Sequence, residues 1–110
     1  MNLLLTGGAG YIGAHVVALA EREGHSVTVV DDLSTGVAAR IVSPVVAINL
    51  ASPDAVGKLS ELMRATKFDA VIHLAAKKQV GQSVEIPEQY FLDNIGGLAN
   101  LLLAMRQENF

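Results

Sequence analysis

The sequence predicts an α/β protein built on a doubly wound parallel sheet. Three observations carry this: four short apolar segments without polar alternation, helical patterns between them, and a glycine cluster where the first segment gives way to the first helix. A parallel strand is covered on both faces, so it needs apolar side chains at nearly every position. Residues 2–5, 26–30, 44–48 and 70–74 have that character. Residues 12–23 place Ile12, Val16, Leu19 and Ala20 on one helical face, turn Glu21, Arg22 and Glu23 to water, and meet Gly24 as a C-cap. Residues 34–42 have weak periodicity and read as a loop between strands two and three, with a short helix as the alternative. A second helix opens at Pro53 and Asp54 and runs through Ala55, Leu59, Leu62 and Met63, with Ser52 as N-cap and Pro53 in the first turn. A third runs from near Pro87 to about Arg106 through Tyr90, Phe91, Leu101 and Leu102, and carries Gly96 and Gly97 at a propensity cost of about 1 kcal/mol each. Right-handed crossovers then give the strand order 3-2-1-4, with functional groups at the carboxyl ends of the strands.

At 110 residues the chain suits one domain, and 51% hydrophobic residues suit a globular core. Its apolar runs are far shorter than the ~20 residues that span a bilayer, so no membrane helix is expected. Met1 and Asn2 lead directly into the first strand without a basic leader, which points to the cytoplasm. Absence of cysteine removes disulfides and thiolate metal sites. A net charge of −3, with no basic run beyond Lys77-Lys78, argues against a nucleic-acid partner. The fourth strand would form an apolar sheet edge through which a homodimer or another chain could pair.

The stretch Thr6-Gly7-Gly8-Ala9-Gly10-Tyr11-Ile12-Gly13 satisfies G-x-G-x-x-G from Gly8 and G-x-x-G-x-x-G from Gly7. One glycine permits the tight turn, one lets a pyrophosphate approach the backbone, and one lets the helix pack on the strand. The helix N-terminus then offers its free N–H groups and positive dipole end to phosphate. Asp31 follows at the end of strand two, within the spacing of about 20 residues that completes a Rossmann dinucleotide fingerprint. A carboxylate there accepts from ribose hydroxyls and repels a 2′-phosphate, and neither Asp31 nor Asp32 has a basic neighbour in sequence, so NAD is favoured over NADP. The alternative is a purely structural turn with Asp31 as a solvated strand end.

Thr6 to Gly13, Asp31-Asp32-Leu33-Ser34-Thr35-Gly36, and Val71-Ile72-His73-Leu74-Ala75-Ala76 through Val80-Gly81-Gln82-Ser83 resemble the extended short-chain dehydrogenase/reductase family, and within it the 4-epimerases of UDP-hexoses. Pro87, Tyr90 and Asn94 extend the likeness, which covers essentially the whole chain. It implies NAD as cofactor, a UDP-sugar as substrate of the full-length form, and reversible inversion at C4 through a 4-keto sugar. It further implies that the backbone of Gly7, Gly10, Tyr11, Ile12 and Gly13 lies against the pyrophosphate, and that Asp31, Asp32, Leu33, Ser34, Thr35 and Gly36 surround the adenosine ribose. Asn49 and Leu50 would flank the adenine. Leu74, Ala75, Ala76, Lys77 and Lys78 would line the cofactor, Lys78 matching a lysine that reaches the nicotinamide-side ribose or phosphate, and Asn94 would contact it from the third helix. A solvated lysine pair and a helix-surface amide are the alternative readings of Lys77-Lys78 and Asn94.

Three departures bear on this. Ile48-Asn49 stands where the family has Gly-Asp, which removes a charge-assisted bond to the adenine amino group. Gly96 stands in place of an asparagine, so two glycines adjoin, easing close packing on the sheet or loosening the helix. The family's Tyr-x-x-x-Lys pair is missing, since the two tyrosines, Tyr11 and Tyr90, are followed four residues later by His15 and Asn94. The chain is therefore expected to end before the catalytic strand and substrate-binding region, with no catalytic residue of its own and no turnover alone. A related dehydratase or reductase, or a non-catalytic NAD-binding or chain-pairing module, is the alternative. His15, His25 and His73 lack the spacing of a metal site, and the apolar stripe over residues 98–105 reads as core or as an intersubunit face.

Overall fold

The computed structural model describes residues Met1–Phe110. Two compact units divide the chain, Met1–Ile48 with Lys67–Ala75, and Asn49–Thr66 with Ala76–Phe110. The first holds strands β1 (Asn2–Thr6), β2 (Ser26–Asp31), β3 (Val45–Ala47) and β4 (Ala70–His73) with helix α1 (Tyr11–Arg22). All three strand pairings are parallel and the order is β3-β2-β1-β4, as the sequence predicts. This is the Rossmann-type arrangement.

Register places Leu3 opposite Val27, Leu5 opposite Val29, and Thr6 opposite both Val30 and His73. Leu3, Leu5, Val27 and Val29 therefore share one face, where Val17 and Ala20 of α1 complete a buried cluster flanked by Ile41, Val45, Ala70 and Ile72. Full burial of each of the larger side chains contributes about 1.5–3 kcal/mol. Leu4 and Val30 point to the opposite face and are also fully buried, which is why these strands show no polar alternation. β4 is a sheet edge, and its four residues are half-buried. The segment after β2 is mostly irregular, as read, with one 3-10 turn at Ala38–Arg40.

The second unit is helical: α2 (Ala55–Ala65), α3 (Val80–Glu85), α4 (Pro87–Tyr90), a π-helical stretch Phe91–Gly96, and α5 (Gly97–Gln107). Helices α2 and α5 pack together. Leu59 and Met63 of the former, and Leu101 and Ala104 of the latter, are buried. Ser60 donates to Gln107 Oε1 at 3.3 Å and Arg64 pairs with Glu108 at 3.4 Å. No helix is long and apolar enough to cross a membrane.

Three expectations need correction. Ser52 is not the N-cap of α2: Asp54 holds that position, Pro53 lies outside the helix, and the Ser52 hydroxyl is within bonding distance of both the Asn49 carbonyl and the Asp54 carboxylate. Lys58, 2.7 Å from Asp54, together with the Ser52 hydroxyl, holds that carboxyl below its usual range. The third helix is preceded by α3, a six-residue helix with no buried residue, and its first half is widened into the π stretch. The packing role expected of Gly96 falls to Gly97, and it faces a loop of its own unit. A methyl group at Gly97 would lie 3.2 Å from Leu50 Cβ, whereas Gly96 has nothing within 4 Å. Asn100 adds a 2.8 Å bond to the Leu50 carbonyl. Gly96→Ala is therefore expected to stabilise the protein by about 0.5–1 kcal/mol through helix propensity. Gly97→Ala should forfeit that gain. Urea unfolding of both variants checks the pair, and equal stabilisation would contradict the contact.

Candidate functional site

In the first unit the carboxyl ends of β1, β2 and β4 present Thr6, Asp31 and His73 along one edge of the sheet. The glycine turn follows β1. Gly7 has φ +74°, and a Cβ on it would fall 2.6 Å from Ala75 N and 2.7 Å from Leu74 C. A Cβ on Gly13 would fall 2.1 Å from Gly7 O and 2.6 Å from Gly8 Cα. Both positions meet backbone atoms, which have no rotamer to yield. Around Gly10 the space is open except for Gly7 O at 3.4 Å. Gly10 is also the N-cap of α1, with no side-chain cap and no acidic residue in the first turn. The leading N–H groups of α1 therefore have no intrahelical or side-chain partner, and the side chains of Tyr11 and Ile12 are exposed. A bare, electropositive helix end beside side-chain-free backbone is the chemistry that accepts a pyrophosphate.

Asp31 reaches back to this turn. Its Oδ2 accepts Ala9 N–H at 3.0 Å, and its Oδ1 accepts Leu33 N–H at 2.8 Å. Leu33 is held at φ +60°, a left-handed conformation disfavoured for a leucine, and the Asp31 bond compensates for that strain. Asp32 Oδ1 accepts both the N–H and the hydroxyl of Ser34, at 2.9 and 2.7 Å. Val37 N–H donates to the Ala9 carbonyl at 3.0 Å, and Gly36 sits so close to Ala9 that a Cβ would come within 2.6 Å of the Ala9 methyl. Ala9 is thus fastened through its N–H by the last residue of β2 and through its carbonyl by the segment that follows, with Ser34 and Thr35 exposed on that segment. A carboxylate offers about four lone-pair sites, so Asp31 retains acceptor capacity beyond the two N–H groups it holds.

Sequence reasoning missed a second network. Thr6 is fully buried, and its Oγ1 lies 2.6 Å from His73 Nδ1 while accepting Ala75 N–H at 3.4 Å. Burial lowers the His73 pKa from its ordinary value of 6.5. The unfolded chain therefore binds the proton more readily than the folded one, and the resulting stability is complete above pH ~6.5 and is lost as pH falls through the lower folded value. The denaturation midpoint is expected to drop more between pH 7.5 and 5.5 in the parent than in His73→Gln. Equal drops would remove His73 from the account. Only register could have found this pair, because it joins the last residues of two strands far apart in sequence.

In the second unit, Asn49 is exposed and its Oδ1 accepts Ala51 N–H at 3.0 Å, while Leu50 is buried. The side-chain carbonyl of Asn49 thus closes a local turn. Lys77 is held from three directions. Its N–H donates to Asn94 Oδ1 at 2.8 Å, its carbonyl accepts Asn94 Nδ2 at 2.9 Å, and its ammonium pairs with Asp93 Oδ2 at 2.7 Å. Lys77 is thus ion-paired while its side chain stays 40% exposed, and the Asn94 amide is engaged with the Lys77 backbone. Lys78 and Ala76 are exposed. A cavity of about 290 Å³ opens beside this cluster, lined by Ser83, Pro87, Tyr90, Phe91, Asn94 and Ile95.

The glycine turn, the bare helix end and the carboxylate at the end of β2 define a dinucleotide-binding protein of the Rossmann class. The chain belongs to the NAD dependent epimerase/dehydratase family, which matches residues 3–110. It is 42% identical over 106 residues to the UDP-glucose 4-epimerase of Corynebacterium glutamicum, covering 96% of this chain and 31% of that protein. Among solved structures, UDP-glucose-4-epimerase from Stenotrophomonas maltophila, with bound NAD and formylated UDP-arabinopyranose, superposes with a TM-score of 0.92 at 37% identity, covering 99% of this chain and 34% of that one. UDP-glucose 4-epimerase from Brucella ovis in complex with NAD gives 0.92 at 38% identity, covering 98% and 33%. The chain spans about a third of the length of these relatives.

Proposed function

We propose that this chain is the NAD-binding portion of a UDP-glucose 4-epimerase-like enzyme, whose whole form interconverts UDP-glucose and UDP-galactose. The observation that carries the reading is the Gly7–Gly13 turn, where backbone alone faces the bare N-terminus of α1 and Asp31 braces Ala9. The backbone of Gly7, Gly10, Tyr11, Ile12 and Gly13 takes the pyrophosphate. Asp31 uses its remaining acceptor sites on the adenosine ribose, with Asp32, Leu33, Ser34, Thr35 and Gly36 around it. Asn49 and Leu50 flank the adenine, and Leu74, Ala75, Ala76, Lys77 and Lys78 line the nicotinamide side. NAD, when bound, supplies a reversible hydride acceptor for oxidation at the sugar C4. The negative charge at Asp31 opposes a 2′-phosphate and selects NAD over NADP.

Titration calorimetry with each dinucleotide tests the reading. Saturable NAD binding with weaker NADP binding is expected, and no NAD binding would overturn it. These 110 residues hold no Tyr-x-x-x-Lys pair, so no turnover of UDP-galactose is expected from them alone, and NAD-dependent turnover in a coupled assay would contradict that. Chain pairing is the second reading, favoured by β4 standing at an open sheet edge. A monodisperse monomer in sedimentation would count against it.

A further inference from the structure

We infer that Asn94 and Tyr90 are positioning residues, which hold the segment after β4 in the shape NAD binding requires while spending their own polar groups on that segment. The inference rests on the proposed NAD site, and it changes the role that resemblance implies for Asn94, from cofactor contact to support of the residues that make it.

Hydrogen-bond bookkeeping carries the argument. The Asn94 amide acts as a two-point clamp, its oxygen on the Lys77 N–H at 2.8 Å and its nitrogen on the Lys77 carbonyl at 2.9 Å. A side-chain amide that satisfies both polar groups of one residue fixes that backbone as a neighbouring strand would. Two residues further on, the Tyr90 hydroxyl repeats the device. It accepts Gln79 N–H at 3.2 Å and has the Gln79 carbonyl at 3.1 Å and Gln82 Oε1 at 2.9 Å as acceptors for its proton. The ion pair of Lys77 with Asp93 at 2.7 Å adds a third tie, through a carboxylate side chain that is only 16% exposed. Asp93 and Asn94 are adjacent in sequence, yet both engage Lys77, and they sit in the π-helical stretch, a helix irregularity frequent at functional sites. Lys77 belongs to no helix or strand, and Gln79 is tied to α3 only as its N-cap, through the Ser83 N–H that its carbonyl accepts at 3.0 Å, so its own N–H and both polar groups of Lys77 depend on the clamps. Without the clamps, their ordering entropy falls on the cofactor.

The test pairs amide hydrogen exchange by NMR on the ligand-free chain with NAD titration, for the parent, Asn94→Ala and Tyr90→Phe. Asn94→Ala is expected to speed exchange at Lys77 N–H and to weaken NAD about tenfold, the effect of losing two hydrogen bonds worth roughly a decade of affinity. Tyr90→Phe keeps the ring and its packing. It is expected to speed exchange at Gln79 N–H and to weaken NAD about threefold. Both titrations are run well below the melting temperature, so that a purely structural role would move the melt and leave the affinity untouched. That outcome overturns the inference. Weakened binding with Lys77 exchange unchanged in Asn94→Ala also overturns it, since Asn94 would then touch NAD directly. A parent chain that binds no NAD overturns the proposed site, and the positioning role with it, even where exchange at Lys77 and Gln79 responds to the variants.

Discussion

A Gly13→Ala variant is expected to lose about 3 kcal/mol of stability and all measurable NAD binding, the upper end of the usual cost of overpacking. The added methyl has no room: it would sit 2.1 Å from Gly7 O and 2.6 Å from Gly8 Cα. A clash with a flexible side chain relaxes by a rotamer change, but here the obstacles are two peptides of the turn itself. Relief requires α1 to move away from β1, which separates Val17 and Ala20 from Leu3 and Leu5. The same movement displaces the helix N–H groups proposed to face the pyrophosphate. Gly57→Ala is the control, since that glycine lies inside α2 with nothing within 4 Å of the added methyl. Urea unfolding and calorimetry on the two variants separate the effects. A Gly13→Ala protein with unchanged stability and NAD affinity would show that the turn is not the close approach described.

Asp31→Ala is expected to weaken NAD at least a hundredfold and to cost about 2 kcal/mol of stability. The carboxylate holds Ala9 N–H and Leu33 N–H, so its loss frees the glycine turn and the left-handed Leu33 together. Stability falls through those two bonds. Affinity falls further, because the proposed ribose acceptors vanish as well. Asp31→Asn keeps one acceptor oxygen and should lie between parent and alanine. Removing the charge should also narrow the preference for NAD over NADP, which titration of both dinucleotides reads directly. An Asp31→Ala chain with unchanged NAD affinity would sink the ribose role.

The four strands, their order, α1 and the glycine turn were legible in the sequence because each leaves a local pattern: continuous apolar residues, a 3.6-residue period, or glycines at fixed spacing. Helix α3 was not legible, because its six residues make under two turns, too few for the single pair Val80 and Val84 to read as a period. The N-cap of α2 was misplaced because Ser52 satisfies a serine's usual preference in a different way, by closing a turn with Asn49. At the Gly96-Gly97 pair, composition could not tell which glycine meets a neighbour, and Leu50 decides it.

By itself the sequence determined the class of this protein: a parallel α/β sheet with a glycine-rich dinucleotide turn after its first strand and an acid at the end of its second. Each of those features is encoded in a short contiguous stretch and follows from local sterics and periodicity. Tertiary structure alone decided which polar groups are already spent. Asp31 on Ala9, Thr6 on His73 and Ala75, Asn49 on Ala51, and Asn94 on Lys77 each make bonds whose partners are set by strand register, turn geometry or helix packing. A hydrogen bond needs its partner within about 3 Å, and residue spacing along a chain does not specify distance in space.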